Sequence, residues 1–452
     1  MRPCAGDTVG ARPTLGSPVR RWRPATGRGR TSRLGALLLA VAALAGCGTA
    51  GASGTDPGGS VRSAGASSLA APPTGDILQV PLGTSAATGT APGVPDPLLP
   101  APPGTLISAV RLPPGGGVPP GATAYRVLFH SRSDDGQDIA ESGDVVVPDG
   151  PPPPGGYPIV SWAHGTTGIA DSCAPSEQPD IAIPYLSEFL SSGYIVAATD
   201  YEGLGTAGLH PYLVGESEGR GVIDAARAAR AVAGAVASDS VVFIGHSQGG
   251  QAALFAAQEA RQYAPDLFVA GAVAIAPVNN VSALAPADPG PQADGTDGYE
   301  VMALWDWSQI YASPGLLAAV LTPRAAAEAS IAGTACSATV GATFGTTPTD
   351  QVFRPGWRQA PGLRAELLAN EPGWSPSDAP VLVMQGADDT LTTPEAARTM
   401  ADRMCTGRHD TVELDVVPGS DHGSILSDGQ GRITQWIADR LAGRPAPDNC
   451  PT

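Results

Sequence analysis

Ser240-Val-Val-Phe-Ile-Gly-His-Ser-Gln-Gly-Gly-Gln-Ala-Ala-Leu-Phe255 holds three signals in sixteen residues. Ser240–Gly245 reads as a buried strand, because a short continuous apolar run suits a strand covered on both faces. Gly249 to Phe255 and on to Tyr263 is Ala- and Leu-rich and predicts a helix. Between them Gly245-His246-Ser247-Gln248-Gly249 fits a sharp strand-to-helix turn that lifts a serine hydroxyl clear of the sheet. A second G-x-S-x-G occurs at Gly215-Glu216-Ser217-Glu218-Gly219. No strand run precedes it, and two acidic side chains would oppose a developing oxyanion. Ser217 therefore reads as a polar helix-start residue and Ser247 as the nucleophile.

Outward from this turn, apolar runs alternate with helical patterns. The strand-like runs are Tyr157–Trp162, Tyr194–Thr199, Val269–Val278, Val381–Met384 and Val412–Val417, preceded by β-rich Tyr125–Phe129 and Gly143–Val147. Helical segments are expected at Gly221–Val236, Gln248–Tyr263, Pro394–Met404 and Ile433–Leu441. Such alternation predicts an α/β fold: a mostly parallel central sheet with helices on both faces. An early antiparallel hairpin before the parallel remainder suits the α/β-hydrolase order of elements.

A serine hydroxyl needs a base, and the base needs an acid. His422, in Pro418-Gly-Ser-Asp-His-Gly423, follows the last apolar strand on a loop where catalytic side chains converge. His246 adjoins the serine but points away from it, toward packing or loop bonding. His130 and His409 read as surface or strand-end residues, and His164 belongs to another motif. The acid is expected after Val381–Gly386, in Ala387-Asp388-Asp389. Asp389 fits the strand-to-loop spacing better than Asp388. The resulting Ser, Asp, His order is that of α/β-hydrolases. Oxyanion donors are expected from the backbone N–H of Gln248 and from the Gly-rich turn His164-Gly-Thr-Thr-Gly168, with Thr166 preferred over Gly165 and Thr167.

The chain has 452 residues and a formal charge of −17, with basic residues concentrated at its N-terminus. That balance argues against nucleic acid as a partner, since such affinity comes from cationic contacts to phosphate. Residues 1–46 combine an Arg-rich stretch with the apolar run Leu34–Ala45, too short for a permanent bilayer span, and read as an export signal. Leu44-Ala45-Gly46-Cys47 resembles a lipobox, which makes Cys47 the expected lipidation site and a membrane the expected anchor. Residues 47–94 are Gly, Ala, Ser, Pro and Thr with few charges, and read as a disordered tether. The folded body is expected at 95–452. Cys173, Cys336, Cys405 and Cys450 form an even set suited to an oxidising compartment. Cys173–Cys336 with Cys405–Cys450 is the preferred pairing, the second tying the C-terminal tail to the body. C-x-x-C and H-x-x-x-H spacings are absent from the sequence, which argues against zinc, and a Ser-Asp-His mechanism needs no metal or organic cofactor.

Several strings together resemble the secretory lipase family, the α/β-hydrolases of the Candida antarctica lipase A type, and its actinobacterial members most. They are Pro103–Ser108, Ser161-Trp-Ala-His-Gly-Thr-Thr-Gly168, Asp171–Ser176, Thr199-Asp-Tyr-Glu-Gly-Leu-Gly205, His210-Pro-Tyr212, Gly245–Gly250, Gln385-Gly-Ala-Asp-Asp389 and Asp421-His422-Gly423. The resemblance spans about Pro95 to Leu441. It implies ester hydrolysis by a Ser-Asp-His triad on an ester or lipid substrate, with a helical cap inserted before the acid-bearing strand. It also supports pairing Cys173 with a cap cysteine, here Cys336. The insert is visible independently as the stretch at about 279–378, too long for a structureless loop. Its Trp305, Trp307 and Tyr311 either line an acyl pocket or pack the cap. The expected function is an exported carboxylic-ester hydrolase, a lipase or esterase. An acyltransferase using the same triad and a non-catalytic surface binding protein are the alternatives.

Overall fold

The computed structural model describes residues 93–178, 180–280, 289–293 and 295–450. The expected signal 1–46, the lipidation site Cys47 and the tether up to residue 92 lie outside the described residues.

Among the described residues nine strands form one sheet: β1 (Leu106–Arg111), β2 (Ala122–Arg132), β3 (Asp138–Pro148), β4 (Tyr157–Ala163), β5 (Ile195–Thr199), β6 (Ala237–His246), β7 (Phe268–Ile275), β8 (Val381–Gly386) and β9 (Val412–Val417). Their order is β1-β2-β3-β5-β4-β6-β7-β8-β9. The first three strands and the β3–β5 pair are antiparallel, and all later pairs are parallel. Strand β1, with the sequence LISAVR, is an edge strand that the apolar pattern does not announce. β7 stops at Ile275, short of the expected Val278, because the chain leaves the sheet at Ala276, whose φ is +42°.

Apolar runs of period two supply both faces of a covered sheet. In β6, Val241 and Phe243 point to one side while Val242 and Ile244 point to the other. The same alternation separates Val381 and Val383 from Leu382 and Met384 in β8. On the first side lie α2 (Gly215–Ala233) and α3 (Gln248–Tyr263), through Val222, Ala226, Ala253 and Ala257; α10 (Pro394–Arg408) joins them through Met400 and Met404. On the second lie α1 (Leu186–Ser191), α11 (Ile425–Asp428) and α12 (Gln430–Leu441), through Phe189, Ile425 and Trp436. Phe243 and Ile244 are wholly buried, each side chain worth about 1.5–3 kcal/mol of transfer free energy. Helix α2 begins six residues before the expected Gly221, and Ser217 stands in its first turn.

Between β7 and β8 the chain builds a helical layer: α4 (Asp297–Ile310), α5 (Leu316–Val320), α6 (Pro323–Glu328), α7 (Ser337–Phe344), α8 (Thr349–Val352) and α9 (Leu363–Ala369). It has its own core, centred on Met302, Trp307, Phe344 and Phe353 and reaching Tyr212, Leu213 and Val214 ahead of α2. Trp307 is a core residue, and Trp305 and Tyr311 pack against the same cluster. Among the described residues two disulfides are present. Cys173–Cys336 joins the loop after β4 to the start of α7, and Cys405–Cys450 ties the C-terminal tail to α10.

Candidate active site

Ser247 stands between β6 and α3 with φ +58° and ψ −118°, a conformation that costs a non-glycine residue about 1–3 kcal/mol. The turn is held by the Ser247 N–H donating to Ile275 O at 2.9 Å, and by Gly250, Gln251 and Val278 N–H groups donating to Ser247 O. The flanking glycines follow from close approach. A Cβ on Gly245 would lie 2.2 Å from Gly249 O, and one on Gly249 would lie 2.0 Å from Ala163 O at the end of β4. Thus the G-x-S-x-G spacing reflects how tightly strand, turn and helix are stacked.

His422 follows β9 and Asp389 follows β8, so adjacent parallel strands deliver both side chains to the same sheet end. His422 Nε2 lies 3.0 Å from Ser247 Oγ, and His422 Nδ1 lies 2.9 Å from Asp389 Oδ2. The two loops are tied directly, the Asp388 N–H donating to Ser420 O at 2.9 Å. Asp389 is the member of the acid pair that turns inward; Asp388 is exposed. Asp389 Oδ1 accepts from the Leu391 and Thr392 N–H groups, both at 2.9 Å. Oδ2 accepts from Gln385 Nε2 at 2.9 Å and from Thr392 Oγ1 at 2.8 Å, besides the imidazole. Burial by itself would push this carboxyl up, but His422 and the Thr392 donors outweigh it and hold it below the ordinary range. Thr392 Oγ1 also lies 3.2 Å from His422 Nδ1. The His422 side chain keeps 22% of its exposure, so the imidazole can be approached from outside.

The other histidines are accounted for. The His246 Nε2–H donates to His422 O at 2.8 Å, and its ring packs against that of His422. Burial, reinforced by His422, pushes its pKa down to about 4, so it stays neutral. His210 accepts from Gln248 Nε2 at 3.0 Å and donates through Nδ1 to Glu202 O. His164 is buried behind the Gly-rich turn, with Nδ1 at 2.7 Å from Gly165 O. His409 ends α10 with φ +63°. His130, read from sequence as a surface or strand-end residue, is instead buried within β2 and bonded to Asp138. Ser217 donates to Glu202 at 2.5 Å and has no histidine partner among the described residues.

Gln248 opens α3, so its N–H is one of the donors a helix start leaves without an intrahelical partner. The Gln248 and Thr166 N–H groups donate to no protein acceptor among the described residues. Ser247, His422, Thr166, Gly165, Tyr212, Tyr299, Val278, Leu391 and His246 line one cavity of about 160 Å³. Behind Gly165, Thr166 and His246 lies a larger one of about 610 Å³. The 165–168 turn is fastened from the cap side: Ser337 N donates to Thr167 O at 2.8 Å, and Gly168 packs against Cys173 and Cys336. Among the described residues no three His, Cys, Asp or Glu side chains gather as a metal site would require. Sequence reasoning missed Thr392, Gln385 and Tyr212. Thr392 carries a local signal, three residues after an aspartate whose carboxylate it caps; Tyr212 has none, its partner lying 46 residues away.

A nine-stranded, mostly parallel sheet with helices on both faces, a serine in a strained strand-to-helix turn and a cap before the eighth strand define the α/β-hydrolase fold. The sequence profile of the family described as "Secretory lipase" matches residues 178–304 of this chain. The chain is 25% identical over 377 residues to a Mycobacterium tuberculosis protein described as a "probable inactive lipase", covering 77% of this chain and 80% of that one. The fold is similar to that of lipase A from Candida antarctica, with a TM-score of 0.67 at 17% identity over 77% of this chain and 84% of that one. It is also similar to that of a rice cell wall degrading esterase from Xanthomonas oryzae, with a TM-score of 0.61 at 21% identity over 76% and 99%.

Proposed function

We propose that this chain is an exported serine hydrolase that cleaves carboxylic esters through an acyl-enzyme on Ser247. The observation that carries this reading is the continuous hydrogen-bonded path from Ser247 Oγ through the His422 ring to Asp389, with contacts of 3.0 and 2.9 Å. His422 Nε2 takes the serine proton as Oγ attacks the ester carbonyl. Asp389 holds the Nδ1–H tautomer and stabilises the imidazolium. The Gln248 and Thr166 N–H groups receive the oxyanion, His422 protonates the leaving alcohol, and water then releases the acid. The body is residues 95–452 with a cap at about 279–378, preceded by a signal at 1–46 and a tether at 47–94 that begins with lipidated Cys47.

The test is labelling by a fluorophosphonate probe, followed by a panel of nitrophenyl esters and triglycerides of increasing acyl length. Ser247→Ala is expected to abolish labelling and to lower kcat by about 10⁶-fold. Full activity in that variant would reject the reading. A second reading, a non-catalytic surface protein on this fold, is favoured by the inactive description of the mycobacterial relative. Absence of labelling in the wild-type protein would select it.

A further inference from the structure

The cavity that holds Ser247 and His422 also presents two side-chain hydroxyls, those of Thr166 and Tyr212, 2.9 Å apart. A hydroxyl carries one hydrogen, so the pair has two, and the bond between them uses one. Among the described residues neither oxygen has another protein partner, so whichever hydroxyl accepts keeps a hydrogen that no described protein group takes. Ser247, Thr166 and Tyr212 line one cavity of about 160 Å³, close in size to an engineered cavity of about 150 Å³ that holds a benzene molecule.

Tyr212 is also fixed from both sides. Its N–H donates to Asp306 Oδ2 at 3.0 Å, its carbonyl accepts from Trp307 Nε1 at 2.8 Å, and both partners belong to α4 of the cap. The next N–H, of Leu213, donates to Glu218 Oε1 at 2.8 Å. Burial raises the phenol pKa and keeps it protonated, as a donor. A donor held in place before reaction is the kind that favours a transition state.

We propose that Tyr212 is a catalytic hydrogen-bond donor whose hydroxyl, paired with that of Thr166, adds a third donor to the oxyanion beside the Gln248 and Thr166 N–H groups. The proposal rests on the serine-hydrolase reading given above. As Oγ bonds to the carbonyl carbon, the C=O π pair becomes the oxyanion and the hydroxyl hydrogen bonds to it without leaving its oxygen. On collapse that pair reforms C=O, the C–O bond to the alcohol breaks, and His422 supplies the alcohol's proton.

Tyr212→Phe tests it, with Thr166→Val and Thr166→Ser as companions. Tyr212→Phe is expected to lower kcat by about 10–100-fold with KM within about threefold, and to weaken a trifluoromethyl ketone inhibitor by the same factor. Thr166→Val should match it and the double variant should be little worse, while Thr166→Ser, which keeps the hydroxyl, should recover most of the activity that Thr166→Val loses. Wild-type kcat and inhibitor affinity in a folded, fully labelled Tyr212→Phe would overturn the proposal, as would a rise in KM alone. Should Tyr212→Phe fail to fold, the Thr166 pair decides: equal activity of Val and Ser overturns it. If wild-type protein takes no fluorophosphonate label, the underlying reading fails and the proposal falls with it; labelling with an unchanged Tyr212→Phe removes the proposal alone.

Discussion

On one side of Ser247 lies Asp389, with a fully buried side chain and five donors aimed at its two oxygens. On the other lies Glu218, equally buried, accepting among the described residues only from Leu213 N–H and Gln248 Nε2. The same chemical group is driven in opposite directions. Burial pushes Glu218 up to about 8, beyond what its two neutral donors offset, whereas Asp389 is held below the ordinary carboxylate range. Burial alone does not set protonation; the number and charge of the donors do. The architecture differs too. The Asp389 side is made of loops at the ends of neighbouring strands, while the Glu218 side is packed against Gln248, His210 and the segment that the cap holds through Asp306 and Trp307.

The sharpest way to break the comparison is to remove the charge on the first side. Asp389→Asn keeps the shape but offers Nδ1 no anion, and kcat for ester cleavage is expected to fall by about 10⁴-fold, with fluorophosphonate labelling slowed alongside. A loss below tenfold would mean that the imidazole is oriented by Thr392 instead, whose hydroxyl also reaches Nδ1.

The strand-end half of the site is legible in the sequence because its determinants are local. Ser247, Asp389 and His422 each follow a run of strand residues by a few positions, and a continuous apolar strand announces itself through both covered faces. The cap half is not. Its helices are short, α8 spanning only Thr349–Val352, and they cohere through a core drawn from residues far apart in the chain. Tyr212 and Thr166 have nothing in their own neighbourhoods to announce their contact. Edge strand β1 was missed because one covered face leaves a weaker pattern.

The two disulfides probe the same division at smaller amplitude. Cys173–Cys336 packs against Gly168 beside the expected oxyanion turn, while Cys405–Cys450 lies at the far end of α10. Replacing either pair with Ser is expected to cost about 2–4 kcal/mol in urea unfolding. Only the first should also lower kcat, by about tenfold, since a displaced turn misaims its N–H groups. Equal kcat in the two variants would detach the oxyanion turn from the cap.

Opposite shifts give opposite pH signatures. Glu218 is raised above its unfolded value, so its contribution to stability is complete below about pH 4.5 and is lost as pH rises through about 8. Asp389 is depressed, so its contribution is present above its unfolded value and is lost as pH falls through the folded one. Glu218→Gln mimics the protonated acid. It should leave kcat at pH 7 within about threefold and flatten the decline of Tm between pH 6 and 9 by a few degrees. An unchanged decline would place the alkaline loss on other raised carboxyls, among them Glu202, Asp144 and Glu259, each near 7.

The smallest effect belongs to the neighbour of Asp389. Asp388 carries the same carboxylate one residue from Asp389, yet its side chain faces solvent and only its backbone N–H is engaged, on Ser420 O. Water and salt screen an exposed charge, so its influence on the imidazole is slight. Asp388→Asn is therefore expected to keep kcat within about twofold and Tm within about a degree, while Asp388→Pro, which deletes the N–H that ties the two loops, should lower both. If the Asn variant lost activity as Asp389→Asn does, charge rather than position would be governing the histidine. Inward and outward acids would then be interchangeable, and the contrast between the two sides of Ser247 would rest on something other than donors.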